Sequence, residues 1–553
     1  MRAGQRGIGK TVFSGSKIEE FQVEILGVLE NVGPRQSVIL ARLAGGPLEK
    51  TGVMQGMSGS PVYINGRLVG AVALAFNFAK EPIAGIRPIE EMLAVSGQPA
   101  VKAAPAARME RKDVPLMAGS DAASASLVEI ATPVSFSGFT SGTLERFAPE
   151  LKKLGLEPRQ GVSSGGRLPS KLGSPALLRA GDMISVELLS GDLGIGAEGT
   201  VTHVDGTRVY AFGHRFLSVG KTELPFARAQ VLTLLPNLAS SFKISSPMQW
   251  MGTITQDRST SIYGELGRKA DTVPLAITVK DGQREPIGYH MQMVNDRVLS
   301  PFILQMAIYS AIDATERTLG MASYSLRGAV EFQPGIPPLR IDNTYAGDFN
   351  VPLQASGGVA SPVAYLMGTG FDGLKVKSIT LAIEASERKR VLQIDQITAS
   401  RRDVHPGEPI ELAVTFTGEN GVELQKSVRY TVPIGAPAGT LNFTVSDAAY
   451  SNTLDYSQLM ATAAKSPTQV IAFLNNLRSN TNAYVRVWRS DAAYLVQGQD
   501  LPDPPPSLGL ILAKAQAAQG GWFARGSKID ELLISTGDVV VTGSKTVPVE
   551  VKE

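Results

Sequence analysis

Alternation of apolar and polar residues recurs along most of this chain, and it is the signature of half-buried β-strands. Residues 21–25 alternate near the start, and residues 410–416 alternate in the same way far downstream. Asn65-Gly66 and Asp205-Gly206 each separate two apolar runs, which is typical of tight β-hairpins. The pattern therefore predicts a mainly β protein.

Two segments carry helical signals instead. Residues 143–154 place apolar side chains on one face, and Gly155 follows in the position of a C-cap. A second helix is predicted to begin at Ser466-Pro467, with serine as the N-cap and proline at the first helical position. Both helices are expected to be minor additions to the strands.

The chain has 553 residues, more than a single core usually serves. Residues 98–126 are rich in alanine, proline, serine and charge without any period, which favours a linker. Turn signals and strand patterns after residue 333 predict a small β-sandwich. The predicted organisation is a β unit over 1–97, a linker and helical insertion over 98–180, a second β unit over 181–332, a β-sandwich-like domain over 333–450 and a small α+β region over 451–553.

Composition narrows the function classes. The formal net charge of +2 comes from scattered residues, which argues against nucleic acid as a partner. The absence of cysteine excludes disulfides and thiol catalysis. No segment is long and apolar enough for an integral membrane span, and no signal peptide is visible in the given chain.

The segment Gly56-Met57-Ser58-Gly59-Ser60-Pro61 carries the strongest chemical signal. A serine between glycines, directly before a strand, suits a nucleophile that projects from a tight turn. The amides of Gly56 and Ser58 could then converge as an oxyanion hole. This is the Gly-x-Ser-Gly-x-Pro pattern of trypsin-like proteases, although a plain tight turn would also explain it.

A serine nucleophile needs a base, and the chain has only four histidines. His214 follows a strand and Gly213, so its side chain could reach into a cleft. A structural histidine is the alternative. His203 lies within a strand pattern and suggests packing, while His290 and His405 receive no role.

Longer stretches of the sequence resemble the SpoIVB peptidase family. Residues 48–61, followed by 65–72, are similar to that family's nucleophile region, and 17–25 resemble the strand before it. Residues 199–202 and 209–214 resemble the histidine region, as do 242–244 and 262–267. The resemblance implies a trypsin-like double β-barrel peptidase core, its nucleophile half in 1–97 and its histidine half in 181–332, with no cofactor and no metal.

Two departures from the family pattern matter. Ser58 precedes His214, whereas the family places histidine first, so the core resembles a circular permutation. The family's aspartate would fall near Ala44 and has no counterpart. Asp257 is the first candidate to orient the histidine, and Asp205, in a hairpin turn, is a weaker one.

The resulting hypothesis is an extracytoplasmic serine endopeptidase that cleaves protein or peptide substrates. Its main alternative is a non-catalytic cell-envelope protein with a protease-like core, in which the C-terminal domains dock an envelope protein partner. A third hypothesis, a carbohydrate-binding C-terminal domain, would require an exposed aromatic platform around Trp488 or Trp522.

Overall fold

The chain forms two compact units, Met1–Ala276 with Tyr289–Ala314, and Ile277–Gly288 with Thr315–Glu553. The predicted linker over 98–126 and the expected C-cap Gly155 lie outside the described residues. The structure, a computed structural model, describes residues 1–34, 36–76, 79–97, 127–154, 156–161, 171–238, 240–282, 284–315, 320–371, 373–461, 466–496, 499–502, 505, 507–511 and 522–553.

Strands dominate both units, as the alternating pattern predicts. The strands in chain order are β1 (Arg6–Ser14), β2 (Lys17–Gly33), β3 (Gln36–Ala44), β4 (Pro61–Ile64), β5 (Arg67–Phe76), β6 (Ile83–Pro88), β7 (Leu127–Glu129), β8 (Thr132–Ser137), β9 (Leu156–Gln160), β10 (Met183–Gly191), β11 (Gly194–Asp205), β12 (Arg208–Ala211), β13 (Gly220–Leu235), β14 (Phe242–Arg258), β15 (Ser261–Leu266), β16 (Thr272–Asp281), β17 (Ile287–Val294), β18 (Ala322–Phe332), β19 (Leu339–Gly347), β20 (Val376–Ser386), β21 (Val391–Ala399), β22 (Asp403–Val404), β23 (Pro409–Thr417), β24 (Glu423–Thr431), β25 (Gly439–Ser446), β26 (Asn482–Val496), β27 (Gln499–Pro502), β28 (Trp522–Ser535), β29 (Val540–Thr542) and β30 (Ser544–Val551). The helices are α1 (Leu48–Thr51), α2 (Ile89–Leu93), α3 (Ser141–Lys153), α4 (Leu299–Thr315), α5 (Val351–Gly368), α6 (Ala448–Ala461) and α7 (Pro467–Asn475).

The first sheet closes into a barrel. Its strands follow the order β4-β1-β2-β3-β6-β5, and β4 also pairs with β5. The predicted Asn65-Gly66 hairpin joins these two strands, and both residues have positive φ, at 49° and 75°, as the tightest hairpin turns require. Phe21, Val23 and Ile25 point into the apolar interior, so alternation predicted the buried face correctly.

The second sheet of the same unit contains another barrel. The order is β10-β13-β14-β15-β12-β11, and β10 also pairs with β11. The predicted Asp205-Gly206 hairpin joins β11 to β12. Strand β11 also pairs antiparallel with β8, and β8 pairs in parallel with β9. Two closed barrels within one unit are the fold that the family resemblance implies.

The barrels contact each other through backbone and apolar side chains. Gly15 forms an antiparallel bridge to Val231, and Gln55 forms a parallel bridge to Phe242. An apolar cluster joins Val12 of the first barrel to strands of the second. This seam is where the candidate residues lie.

The other unit contains a β-sandwich. One sheet has the order β24-β23-β21-β29, the other runs β22-β30-β25-β26-β27, and β28 pairs with β26. Their inner faces share one apolar core that includes Phe416 and Phe443. Strands β26 to β30 of this sandwich all follow residue 450 in the chain.

Only some of the helices were predicted from the sequence. The helix predicted at 143–154 is α3, capped by the Thr140 hydroxyl, and α7 is capped by Ser466 as expected. The long helices α4 and α5 were not predicted, because they carry apolar residues around most of their circumference and therefore lack the polar face that reveals a helical period. No described helix combines the length and apolar character needed to cross a membrane.

Candidate functional site

The serine motif forms a tight loop between α1 and β4. Gly56 and Gly59 have φ values of +88° and +92°, a region that favours glycine. A Cβ at Gly59 would lie 2.0 Å from the Thr200 carbonyl oxygen and 2.6 Å from the Phe212 amide nitrogen. The second glycine is therefore required both by backbone conformation and by the close approach of the other barrel.

Strand β11 holds this loop through three consecutive hydrogen bonds. The Thr200 amide donates to the Ser58 carbonyl at 2.8 Å, and the Thr200 hydroxyl donates to the Gly56 carbonyl at 2.8 Å. The Thr202 hydroxyl donates to the Gly59 carbonyl at 2.7 Å. The loop thus belongs to one barrel in sequence but is fixed by the other.

The amides of the loop divide into two groups. Those of Met57, Gly59 and Ser60 donate to backbone carbonyls, the Gly59 bond to Val72 measuring 2.7 Å. In the described part of the chain, the amides of Gly56 and Ser58 donate to no protein group. These two are the amides that the sequence assigned to an oxyanion hole.

His214 follows β12 after an unusual turn. Phe212 and Gly213 both adopt left-handed backbone conformations, with φ of +70° and +72°, and a buried aromatic residue in that region is strained. The His214 Nδ1 lies 2.6 Å from the Arg215 carbonyl oxygen. Because a carbonyl only accepts, Nδ1 carries the proton and Nε2 is left as an acceptor.

The environment of His214 favours the neutral imidazole. Burial lowers the pKa of His214 below its ordinary value of 6.5, while the Glu129 carboxylate, the Arg215 carbonyl and Asp257 raise it and Arg87 lowers it further. Burial has the largest effect on this pKa because His214 is only 2% exposed. A neutral ring with a free Nε2 is the form that a general base requires.

The structure brings the serine and histidine segments to the same seam. Gly59 packs against the backbone of Phe212, and Gly213 lies over Val72 and Ala73 of the serine barrel. Ser58 Oγ and His214 Nε2 are both buried, and neither has a hydrogen-bond partner among the described residues, so they do not bond to each other in this arrangement.

Asp257 lies next to the histidine turn but does not contact the ring through a hydrogen bond. Its carboxylate accepts from the amides of Phe216, Leu217 and Val219 at 2.8, 2.7 and 3.2 Å. The Arg215 carbonyl oxygen, rather than Asp257, accepts the hydrogen bond from His214 Nδ1. Asp257 therefore fixes the turn that follows His214.

The weaker candidates lie elsewhere. Asp205 is exposed in its hairpin and pairs with Arg208 at 3.8 Å. His203 stacks on Tyr210, as its strand position suggested. His290 and His405 have exposed side chains beside Asp192 and Glu408.

Lys243 is a functional candidate to which sequence analysis assigned no role. Its side chain lies under Gly56, where a Cβ would come within 3.2 Å of Lys243 Cδ. Its Nζ donates to the Thr11 hydroxyl at 2.7 Å, and burial lowers the pKa of Lys243 to about 7. Sequence alternation gave no signal for its burial, because Lys243 lies between Phe242 and Ile244, where an outward-facing polar residue is expected.

Two closed barrels that meet at a serine loop and a histidine turn define a β-rich fold of the peptidase type. Residues 2–93 match the SpoIVB peptidase S55 family, which confirms the resemblance over the barrel that carries the serine loop. The histidine segment and the permuted order lie outside the matched residues. Comparisons with curated proteins and with solved structures gave no match.

Proposed function

We propose that the chain is a serine endopeptidase in which Ser58 is the nucleophile and His214 is the general base. The observation that carries the proposal is the burial of two atoms without hydrogen-bond partners among the described residues, Ser58 Oγ and His214 Nε2, on segments packed together at the barrel seam. The family match over the serine barrel supports the reaction class.

The chemistry follows from the protonation states. His214 Nε2 accepts the Ser58 hydroxyl proton while Oγ bonds to the peptide carbonyl carbon, and the amides of Gly56 and Ser58 stabilise the oxyanion. The C–N bond then breaks, and the departing amine takes the proton from His214. Water, deprotonated by the same nitrogen, hydrolyses the acyl-enzyme and regenerates Ser58.

Asp257 is proposed to act as a positioning residue. It accepts three amides of the turn that follows His214, so it fixes the backbone that carries the Arg215 carbonyl. That carbonyl in turn sets the imidazole tautomer. This arrangement replaces the direct aspartate–histidine contact that the family pattern would supply.

One observation favours a second candidate function. Ser58 has no exposed surface, and its hydroxyl is not bonded to His214. Acylation therefore requires a movement that opens the seam and brings Oγ to Nε2. A chain that never makes this movement would be a non-catalytic envelope protein with a peptidase-like core.

A fluorophosphonate probe separates the two candidates, because it bonds covalently only to an activated serine. The unmodified protein and Ser60→Ala should label, whereas Ser58→Ala should not. Ser60 is a matched control because its hydroxyl is also buried, unpartnered and in the same loop. His214→Gln should lose labelling and His203→Gln should keep it. Failure of the unmodified protein to label under any condition would support the non-catalytic candidate.

Location and partners are proposed on the family resemblance alone. We place the protein outside the cytoplasm and expect a protein or peptide substrate. The sandwich unit is the candidate surface for an envelope partner. A carbohydrate-binding role is less favoured, since the half-buried Trp488 donates its Nε1 proton to the Thr444 hydroxyl within the sandwich at 2.9 Å.

A further inference from the structure

A cavity of about 620 Å³ opens in the histidine barrel, apart from the serine and histidine themselves. Its floor is polar and includes Ser185, Glu187 and Glu198. The walls include Trp250, Met291 and Leu172, and Arg268 lies among the lining residues. Arg268 is already paired with Glu223 at 2.7 Å and Glu265 at 3.2 Å.

Strand alternation places the polar side chains on one face. Ser185 pairs in register with Glu198, and Glu187 pairs with Gly196. Because residues two apart share a face of a strand, Ser185, Glu187 and Glu198 all point into the cavity that they line. The apolar neighbours Ile184 and Val186 point to the opposite face.

Glycine keeps this floor open. A Cβ at Gly196 would lie 2.6 Å from Ser185 Oγ and 2.9 Å from Glu187 Oε1. A Cβ at Gly194 would lie 2.4 Å from Ser137 Oγ. A side chain at Gly196 would fill the space directly in front of the Glu187 carboxyl group.

The two glutamates are buried without a compensating cation. Glu187 is 6% exposed and Glu198 is 2% exposed, and neither forms an ion pair in the described part of the chain. One oxygen of each, Glu187 Oε1 and Glu198 Oε2, has no hydrogen-bond partner. Burying such groups is costly unless a partner satisfies them.

Burial makes the charged form of both glutamates unfavourable unless a cation accompanies it. Burial raises the pKa of Glu187 to about 7 and raises that of Glu198 well above its ordinary value, against the opposing effect of nearby serine hydroxyls. The Ser245 hydroxyl is 5% exposed, lines the same cavity and lies near Glu198, whose pKa it lowers, so it is a further polar group that a ligand would meet.

We propose that this cavity binds an ammonium or guanidinium group carried on an aliphatic chain, with Glu187 and Glu198 as its acceptors. The cation would supply the donors that both carboxyl groups lack. The apolar walls suit the methylene stem, and the Trp250 ring can add a cation–π contact. The inference does not require the chain to be a peptidase.

A metal ion fits the same residues less well. The described residues contain no group of three or more histidine, aspartate or glutamate side chains placed to hold a metal. A bare Ca²⁺ ion prefers six to eight oxygen ligands, and it would leave most of the cavity unfilled. An organic cation uses both the carboxyl groups and the apolar walls.

Calorimetric titration of the full chain with agmatine tests the proposal. We expect saturable binding to the unmodified protein, and we expect Glu187→Gln and Glu198→Gln each to weaken it at least about tenfold, the effect of losing a charged hydrogen bond. Both variants should fold, because a neutral amide removes a buried charge. Asp205→Asn is the matched control, since it removes a carboxylate from an exposed hairpin of the same barrel that does not line the cavity, and it should bind normally.

Titrations with peptides and with Ca²⁺ identify the chemical source of the bound cation. We compare an arginine-containing pentapeptide with its citrulline analogue, in the unmodified protein and in the Ser58→Ala variant. Binding of the arginine peptide alone, in both proteins, would support a peptide side chain as the ligand. Absence of both agmatine and peptide binding would overturn the proposal, as would equal binding by the Glu187→Gln/Glu198→Gln double variant. Tight Ca²⁺ binding without amine binding would overturn it in favour of a metal site.

Discussion

The Thr200 amide donates a hydrogen bond of 2.8 Å to the carbonyl oxygen of Ser58. This bond joins a strand of one barrel to the proposed nucleophile of the other. It shows how two segments far apart in the chain are held together: the histidine barrel supplies donors to the Gly56, Ser58 and Gly59 carbonyls of the serine loop.

Thr200→Val tests this dependence. The variant keeps the amide bond but loses the hydroxyl bond to the Gly56 carbonyl, which becomes a buried acceptor without a donor. We expect a loss of about 1–3 kcal/mol in the free energy of unfolding and a slower rate of labelling by a fluorophosphonate. Urea denaturation and labelling kinetics measure the two effects.

Thr222→Val is the control for that substitution. The Thr222 hydroxyl is buried on β13 but has no hydrogen-bond partner, so its loss should cost little. Equal destabilisation by the two variants would show that the hydroxyl bond to Gly56 does not stabilise the loop.

The second prediction concerns the pH dependence of acylation. Burial lowers the pKa of His214 below 6.5, and only the neutral ring can accept the Ser58 proton. The rate of fluorophosphonate labelling should therefore fall only below pH 6.5 as the pH is lowered. A labelling rate that already falls clearly above pH 6.5 would identify a different base.

Lys243 predicts a pH dependence of stability. Burial lowers its pKa from 10.5 to about 7 in the folded protein. Between these values the unfolded chain binds a proton that the folded chain has released, so stability rises with pH through this window. Lys243→Met should flatten the rise, measured by urea denaturation at about pH 7, 8.5 and 10.

Lys221→Met supplies the comparison for Lys243. Lys221 is exposed on β13, and its replacement should leave the rise with pH intact. If both variants behave alike, or if Lys243→Met keeps the full rise, the buried lysine is not the group that titrates.

Gly59→Ala should disrupt the seam itself. The new Cβ would overlap the Thr200 carbonyl, in a backbone region that already disfavours alanine. We expect a loss of more than about 2 kcal/mol in the free energy of unfolding, seen as a lower thermal midpoint. Gly27→Ala, where nothing lies within 4 Å of the new Cβ, should leave the midpoint nearly unchanged, and similar losses would contradict the close packing of the two barrels at Gly59.

Local sequence signals predicted the local structure well. The Asn65-Gly66 and Asp205-Gly206 turns, the Ser466 cap and the alternation at 21–25 all appear as expected. Helices α4 and α5 escaped prediction because burial removes the polar face on which a helical period depends. No local signal indicated that β26 and β30 pair with β25 in the sandwich, because pairing between strands distant in sequence depends on tertiary packing.

The sequence alone determined the strand periods, the tight turns, the helix caps and a glycine-flanked serine, because each depends on the conformational preferences of a few neighbouring residues. Only the tertiary structure decided that the turn before His214 packs against the Ser58 loop, that Asp257 binds the turn instead of the ring, and that Lys243, Glu187 and Glu198 are buried. Burial and charge are properties of the space around a side chain, and that space is formed by residues distant in sequence.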